Sequence, residues 1–203
     1  MSKTLVIHGC GGHGRSVAAL AERAGYAHII FIDEGAAAAE RIMSYPVLKA
    51  VTHEHIADDC LAAFGNNERR LRQTRDLVAA GRNTVSVMAT SAVVSRHAVM
   101  EPGCFIGELS YVGPRARIGA AAIVNTGSIV EHDCVIGAGC HVSVGATIAG
   151  TCRLGDGVTI WAGATLRDGI TVASGVIVGA GAVVCKDLRT PGTYVGVPAR
   201  LQK

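Results

Sequence analysis

Aromatic side chains are scarce in this chain of 203 residues: they make up 4% of it, with a single Trp. A core of Val, Ile, Ala and Cys suits thin stacked layers rather than a sandwich filled by rings. Charge of one sign is also lacking. The net charge is +3, with Lys, Arg, Asp and Glu spread along the chain. There is no basic stripe of the kind a nucleic-acid binder carries. No apolar run reaches membrane-spanning length, and Met1 to Ile7 has no signal-peptide h-region. The expected compartment is the cytoplasm, with no membrane partner. Seven cysteines are present, yet no Cys-x-x-Cys pair occurs, which points to reduced, structural thiols and no metal.

What the sequence has instead is a period of six. Val94, Met100, Ile106, Val112, Ile118, Val124, Val130, Ile136, Val142, Ile148, Leu154, Ile160, Leu166, Val172, Val178 and Val184 form sixteen aliphatic positions in one unbroken register. A helix repeats every 3.6 residues and a half-buried strand every 2, so neither produces this spacing. Four residues after most of these aliphatics stands a small side chain, such as Ala98, Cys104, Ala116, Cys134, Cys140, Ala146 or Cys152. Cysteine in that register acts as a compact apolar group. Long internal repeats mean a solenoid. Hexads with one aliphatic and one small inward residue predict a left-handed parallel β-helix. Three hexads make one triangular coil, so residues 18 apart stack, and five coils stand about 25 Å tall at the strand spacing. Gly107, Gly113, Gly119, Gly137, Gly155 and Gly179 follow the aliphatic, where glycine is expected to relieve strain at tight corners.

The first 84 residues carry a different pattern. Thr4–His8 reads as a buried strand, Gly9 to Gly14 as a Gly-rich turn, and Arg15 to Ala24 as a helix stopped by Gly25. Ile29–Ile32 is a second strand ending in Asp33–Glu34, followed by an Ala-rich loop or weak helix over 35–40. Cys60–Phe64 is a third strand candidate. Glu68–Ala80 reads as an amphipathic helix with Leu71, Leu77 and Val78 inward. The pattern predicts an α/β half-Rossmann (βαβαβ) unit over 1–84. The β-helix domain and its C-terminal tail follow over 85–203. The turn spells Gly9-x-Gly11-x-x-Gly14, and Asp33 lies nineteen residues past Gly14. That resembles a dinucleotide fingerprint. Only one mononucleotide half fits before the hexads begin, so a site for one nucleotide at a helix N-terminus is expected.

The hexads contain three histidines, His97, His132 and His141, none in an inward register. His132 and His141 are nine residues apart, half a coil, so within one prism they project from different faces. They can share a site only if a neighbouring prism supplies the second.

Asn125-Thr126-Gly127-Ser128-Ile129-Val130-Glu131-His132-Asp133-Cys134 and Gly139-Cys140-His141-Val142-Ser143-Val144-Gly145-Ala146 carry a more specific signal. With the opening Gly-rich turn, Gly65-Asn66-Asn67 and the closing Gly196-Val197-Pro198-Ala199-Arg200, they resemble a NeuD/PglD-like family over nearly the whole chain. That family comprises sialic-acid O-acetyltransferases and nucleotide-linked amino-sugar N-acetyltransferases, both hexapeptide-repeat acyltransferases. The resemblance implies an acetyl-CoA-dependent N-acetyltransferase acting on the 4-amino group of a nucleotide-linked 4-amino-4,6-dideoxy sugar, in surface glycan biosynthesis.

It also implies roles for residues. His132 matches the general base, Asp133 the acidic residue that orients it, and Glu131 completes the catalytic group. An ordinary imidazole titrates near 6.5 and is largely free to accept a proton at neutral pH, and a carboxylate on its far nitrogen fixes the tautomer. Gly150 stacks one coil above His132, and its N–H is a candidate donor to the thioester oxygen. His141, Gly150, Ala162 and Ala180 match acetyl-CoA contacts. Gly11, Gly12, His13, Asp33, Glu34, Gly65 and Asn125 match the nucleotide-sugar site. Gly35 and an alanine run stand where relatives can carry a Lys after the acidic pair, so the base and the sugar stay open. The implied assembly is a homotrimer with active sites between subunits.

A non-catalytic β-helix scaffold would not need Glu131-His132-Asp133 on its surface, and beside it two other readings remain. One makes the acceptor a hydroxyl, as in sialic-acid O-acetylation. The other is a trimeric metalloenzyme of carbonic-anhydrase type, which needs three histidines on zinc. His97 and His132 are 35 residues apart, which puts them about 10 Å apart by stacking distance, too far to share a metal directly.

Overall fold

The computed structural model describes residues 3–202. It opens with five strands in the order β3-β4-β2-β1-β5: β1 (Thr4–His8), β2 (His28–Ile32), β3 (Arg41–Ile42), β4 (Tyr45–Leu48) and β5 (Asp59–Ala62). Helix α1 (Gly12–Arg23) joins β1 to β2, and α2 (Asn67–Ala79) follows β5. The parallel register sets His8 level with Ile32 on one side and Ala62 on the other. The ends of β1, β2 and β5 therefore open on one edge.

The α/β expectation holds, with two strands more than the pattern suggested. Residues 35–40 are loop, and β3 and β4 form a hairpin where a second crossover helix is absent. Its two turn residues, Met43 (φ 50°) and Ser44 (φ 69°), are both left-handed. That geometry is usually announced by Asn-Gly or Asp-Gly. Here neither is present, so the hairpin leaves no local signal. The α2 stripe is also shifted. Arg70, Thr74 and Leu77 are buried, whereas Val78 is exposed and Leu71 only half-buried.

From Val87 onward the chain winds into a left-handed parallel β-helix. Every strand has two or three residues, and up to Val183–Val184 each pairs in parallel with the strand 18 positions away, as Ile123 pairs with His141; at the top Ile177 pairs in parallel with Thr193 and the last two strands run antiparallel. Three faces result, each distinguished by its first outward side chains. The Val93 face has six strands and the Val99 face five. The Phe105 face has eight, counting Val87–Met88 and the C-terminal pair Thr193–Val195 and Arg200–Leu201. The aliphatic and small registers fill the interior, from Cys104 to Val184, almost without exposed surface. Burial of that column, at about 25 cal/mol per Å² of apolar area, is the main stabilising term of the prism. All seven cysteines are free thiols, and Cys104, Cys134, Cys140 and Cys152 lie in the core as expected.

The corner glycines act differently from expectation. Gly107, Gly113, Gly119 and Gly137 do not have positive φ. A Cβ on any of them would instead lie 2.5–2.7 Å from backbone of the next coil. Close approach of coils, not dihedral strain, selects glycine there. The left-handed position falls three residues after the aliphatic, and non-glycine residues also occupy it: Leu109, Arg115, Ala121, Asp133 and Thr151.

The two parts share one core. Phe105 and Ile123 point outward from the prism yet are buried, because Val17, Ala18 and Ala21 of α1 join their cluster. Arg23 at the end of α1 pairs with Glu108 of the prism. The N-terminal unit thus covers the lower coils of the Phe105 face and leaves His141, Thr159 and Ile177 higher up in the same column less covered.

Candidate active site

His132 follows the strand Ile129–Val130 and turns the corner toward Val135–Ile136. Half of its side chain is exposed. Its Nδ1 lies 3.0 Å from Asp133 Oδ2, and Arg115 Nε forms an ion pair with Asp133 Oδ1 at 2.7 Å. The His132 hydrogen bond, aided by the Arg115 charge, holds the Asp133 carboxyl below the usual carboxylate range. An ionised Asp133 accepts from Nδ1–H, which leaves Nε2 as the free acceptor. Asp133 sits at φ 59°, a conformation Asp tolerates better than most side chains. The left-handed turn is what folds the carboxylate back onto the neighbouring ring.

Nε2 faces Gly150. A Cβ on that glycine would stand 2.6 Å from Nε2, so only glycine leaves the basic nitrogen open. The stacking expected from the hexads is present, but the Gly150 amide is not idle. Its N–H donates to Asp168 Oδ1 at 3.1 Å. The same bond recurs at another edge of the prism, where Ala138 N–H donates to Asp156 one coil above. Asp168 thus caps the corner, and a thioester oxygen would have to share or displace it. Glu131 accepts the His132 amide at 3.4 Å. That places its carboxylate on the backbone rather than on the ring.

His141 stands elsewhere. It lies on the Phe105 face, with Nε2 3.2 Å from the Asn125 side-chain nitrogen and its ring 6.0 Å from that of Trp161. Burial, with the Arg70 charge adding to it, lowers its pKa to about 4. A neutral His141 accepts from Asn125 Nδ2. Gly65, Asn66, His141, Trp161, Thr159 and Asp156 line a cleft of about 490 Å³ between the N-terminal unit and the prism. His132 is not among its walls. The two histidines occupy different faces, as the half-coil spacing required. Ala162 and Ala180 are exposed on the edge beside Trp161, one coil apart, and Gly150 lies on the His132 edge.

The nucleotide-site candidates other than Asn125, which lies beside His141 on the prism, gather at the common edge of β1, β2 and β5. Gly11 caps α1 and Gly12 opens it, both exposed. Gly14 is needed for closeness, since a Cβ there would stand 2.2 Å from the Gly9 carbonyl. Asp33 Oδ2 accepts from the Cys10 thiol at 3.1 Å, and Oδ1 accepts from Gly35 N at 3.0 Å. These bonds hold its carboxyl below the usual range. Glu34 and Gly65 are exposed beside it. His13 is buried further than a turn residue needs to be. It meets Phe105 edge-on at 4.9 Å, its Nε2 has no hydrogen-bond partner, and burial drives its pKa down to about 3.

Two residues of this region escaped the sequence reading. Trp161 is the one aromatic at the hexad position that follows the aliphatic, where its own column has Gly107, Asn125, Ser143 and Gly179, and that exception was its signal. Arg70 looked like solvent-facing charge on an amphipathic helix.

A coil of hexads with a histidine–carboxylate pair at one corner defines the class of hexapeptide-repeat acyltransferases. Residues 4–77 match the PglD N-terminal domain and residues 151–186 the bacterial transferase hexapeptide (six repeats). The acetyltransferase domain of PglB from Neisseria gonorrhoeae FA1090, in complex with acetyl coenzyme A, is 32% identical with a TM-score of 0.91, covering 100% of both chains. PerB from Caulobacter crescentus, in complex with CoA and GDP-perosamine, is 28% identical with a TM-score of 0.87, over 98% of this chain and 97% of that one. WeeI from Acinetobacter baumannii AYE shares the fold at 23% identity, with a TM-score of 0.74 over 99% and 100%. The chain belongs to the PglD/NeuD-like family of hexapeptide-repeat acetyltransferases. Among the described residues, no group of three His, Cys, Asp or Glu side chains could hold a metal ion, and no helix is long and apolar enough to cross a membrane.

Proposed function

We propose that this protein acetylates the 4-amino group of a nucleotide-linked 4-amino-4,6-dideoxy sugar, with acetyl-CoA as donor and His132 as general base. The observation that carries this reading is the Asp133–His132 pair with Nε2 left open beneath Gly150. Acetyl-CoA supplies an activated thioester. As the amine nitrogen bonds to the acetyl carbon, His132 Nε2 takes the amine proton, and the imidazolium formed is stabilised by Asp133. The proton then goes to the departing thiolate. The Gly150 N–H, shared with Asp168, is the backbone donor assigned to the carbonyl oxygen as it gains charge. Glu131 supports the His132 backbone.

Gly11, Gly12, His13, Asp33, Glu34 and Gly65 take the nucleotide at the strand edge, Asn125 contacts the sugar, and His141 beside it contacts acetyl-CoA. GDP-perosamine in the C. crescentus relative supports an amine acceptor.

The acting unit in this reading is a homotrimer. His132 and Gly150 lie on one edge, Ala162 and Ala180 on another with His141 on the face beside it, so a ligand spanning both sets needs two chains. The outward column Val93, Tyr111, Ile129, Thr147, Thr165 and Val183 carries no charge and supplies a face for that contact. The division at residues 84 and 85 follows the last bridge of the N-terminal sheet, Cys60 to Thr84.

The test is acetyl transfer from acetyl-CoA to a panel of UDP-, GDP- and dTDP-linked amino sugars, with matched hydroxyl sugars beside them. Turnover of an amino sugar is the expected result. Turnover of hydroxyl acceptors alone would replace this reading by O-acetylation.

A further inference from the structure

Arg70 is 1% exposed, and every acceptor around it is neutral. Its Nε donates to Ala121 O at 2.8 Å. Nη1 donates to Phe64 O at 2.9 Å and Gly65 O at 3.4 Å. Nη2 donates to Asn67 Oδ1 and Gly139 O, each at 2.9 Å, and to Cys140 O at 3.2 Å. The carbonyls of Phe64 and Gly65 belong to the turn after β5, in the N-terminal unit. Those of Ala121, Gly139 and Cys140 belong to two adjacent coils of the prism, the second running directly into His141.

A buried cation without a carboxylate is a poor way to gain stability. Its desolvation is repaid only by well-aligned hydrogen bonds, and an apolar side chain of similar volume often does better. What a guanidinium supplies is a planar fork that fixes several acceptors at once. We infer that Arg70 is a positioning residue, whose guanidinium fixes the distance between the nucleotide-binding edge of the N-terminal unit and the prism coil carrying His141. This rests on the acetyl-transfer reading above.

Three further observations agree with it. The walls of the cleft come from the two parts that Arg70 ties together, Gly65 and Asn66 on one side and His141 and Trp161 on the other. Asn67 runs a second tie, from its Nδ2 to Gly157 O at 3.1 Å and Thr159 Oγ1 at 2.9 Å. The attachment of α1 to Phe105 and Ile123 does not involve Arg70, so loss of the fork lets the two walls shift while the units stay joined. The charge has a second effect: after burial, it is the next cause that keeps both His13 and His141 neutral.

The experiment is steady-state kinetics of the full chain carrying Arg70→Ala or Arg70→Lys, with acetyl-CoA affinity measured in parallel. A misplacement of about 1 Å costs on the order of 100-fold in turnover efficiency. The expected result is a loss of that order in kcat/KM for the amino sugar, larger than any loss of acetyl-CoA affinity through His141. Added guanidinium should restore part of the Arg70→Ala loss. Lys keeps the charge but not the fork, so Arg70→Lys should remain impaired; it serves alone if the alanine variant does not fold. Wild-type kcat/KM in a folded variant would overturn the inference, and so would an equal loss of acetyl-CoA affinity. Absence of turnover by the wild-type protein would instead overturn the reading on which it rests.

Discussion

Gly150 lies one coil above His132, so close that a Cβ would reach within 2.6 Å of Nε2. One glycine thereby decides whether the basic nitrogen is open. Gly150→Ala should lower kcat by about 100-fold. Gly150 does not have positive φ and the ring beneath it is on the surface, so the melting temperature should change little. Kinetics and a thermal melt on the same sample check both halves.

His132→Ala removes the proposed base and should lower kcat by about 100- to 10,000-fold, while acetyl-CoA binding stays intact. Calorimetric titration with acetyl-CoA separates the two effects. Unchanged turnover would remove His132 from the mechanism.

Asp133→Asn keeps the left-handed turn, which Asn tolerates as well as Asp, but loses the charge opposite Nδ1–H. The kcat should fall by about 10-fold or more with little change in KM. Because the Asp133 carboxyl already lies below the usual range, the wild-type pair should stay intact down to mildly acidic pH.

Three histidines with lowered pKa values set a pH dependence of stability. Burial brings His8 to about 4, His13 to about 3 and His141 to about 4, with Arg82 acting further on His8. In the unfolded chain each binds its proton near 6.5. Below that value the unfolded state takes up more protons than the folded one. Stability is therefore full above about pH 6.5 and lost as pH falls toward 4, at roughly 1.4 kcal/mol per pH unit for each histidine. Chemical unfolding at pH 7.5, 6 and 5 should show this decline, and His13→Phe should reduce its slope.

Two glycines separate the two reasons for glycine in the coil. Gly127 has φ +64° and open space around it, whereas a Cβ on Gly137 would meet Gly155 backbone at 2.5 Å. Gly127→Ala should cost about 1 kcal/mol, the left-handed penalty alone. Gly137→Ala should cost more, because backbone of the adjacent coil must move. Equal melting temperatures would contradict the distinction.

The prism was legible in the sequence because a period of six leaves one solution for its inward side chains. From that register alone followed the buried cysteines, the Gly150–His132 stack and the separation of His132 from His141. The His132–Asp133 pair was legible because its members adjoin in sequence. The β3–β4 hairpin was not, since Met43 and Ser44 reach left-handed conformations without the residues that normally signal them. Neither was Arg70, whose charge looked like solvent face until its acceptors, 51 and 69 residues away, were brought around it. The Gly150 amide looked free until Asp168 arrived from the next coil. Local and periodic relations were fixed by chain geometry. Those that depend on which distant backbone groups converge on a buried side chain were decided only by the packing of the N-terminal unit against the coil.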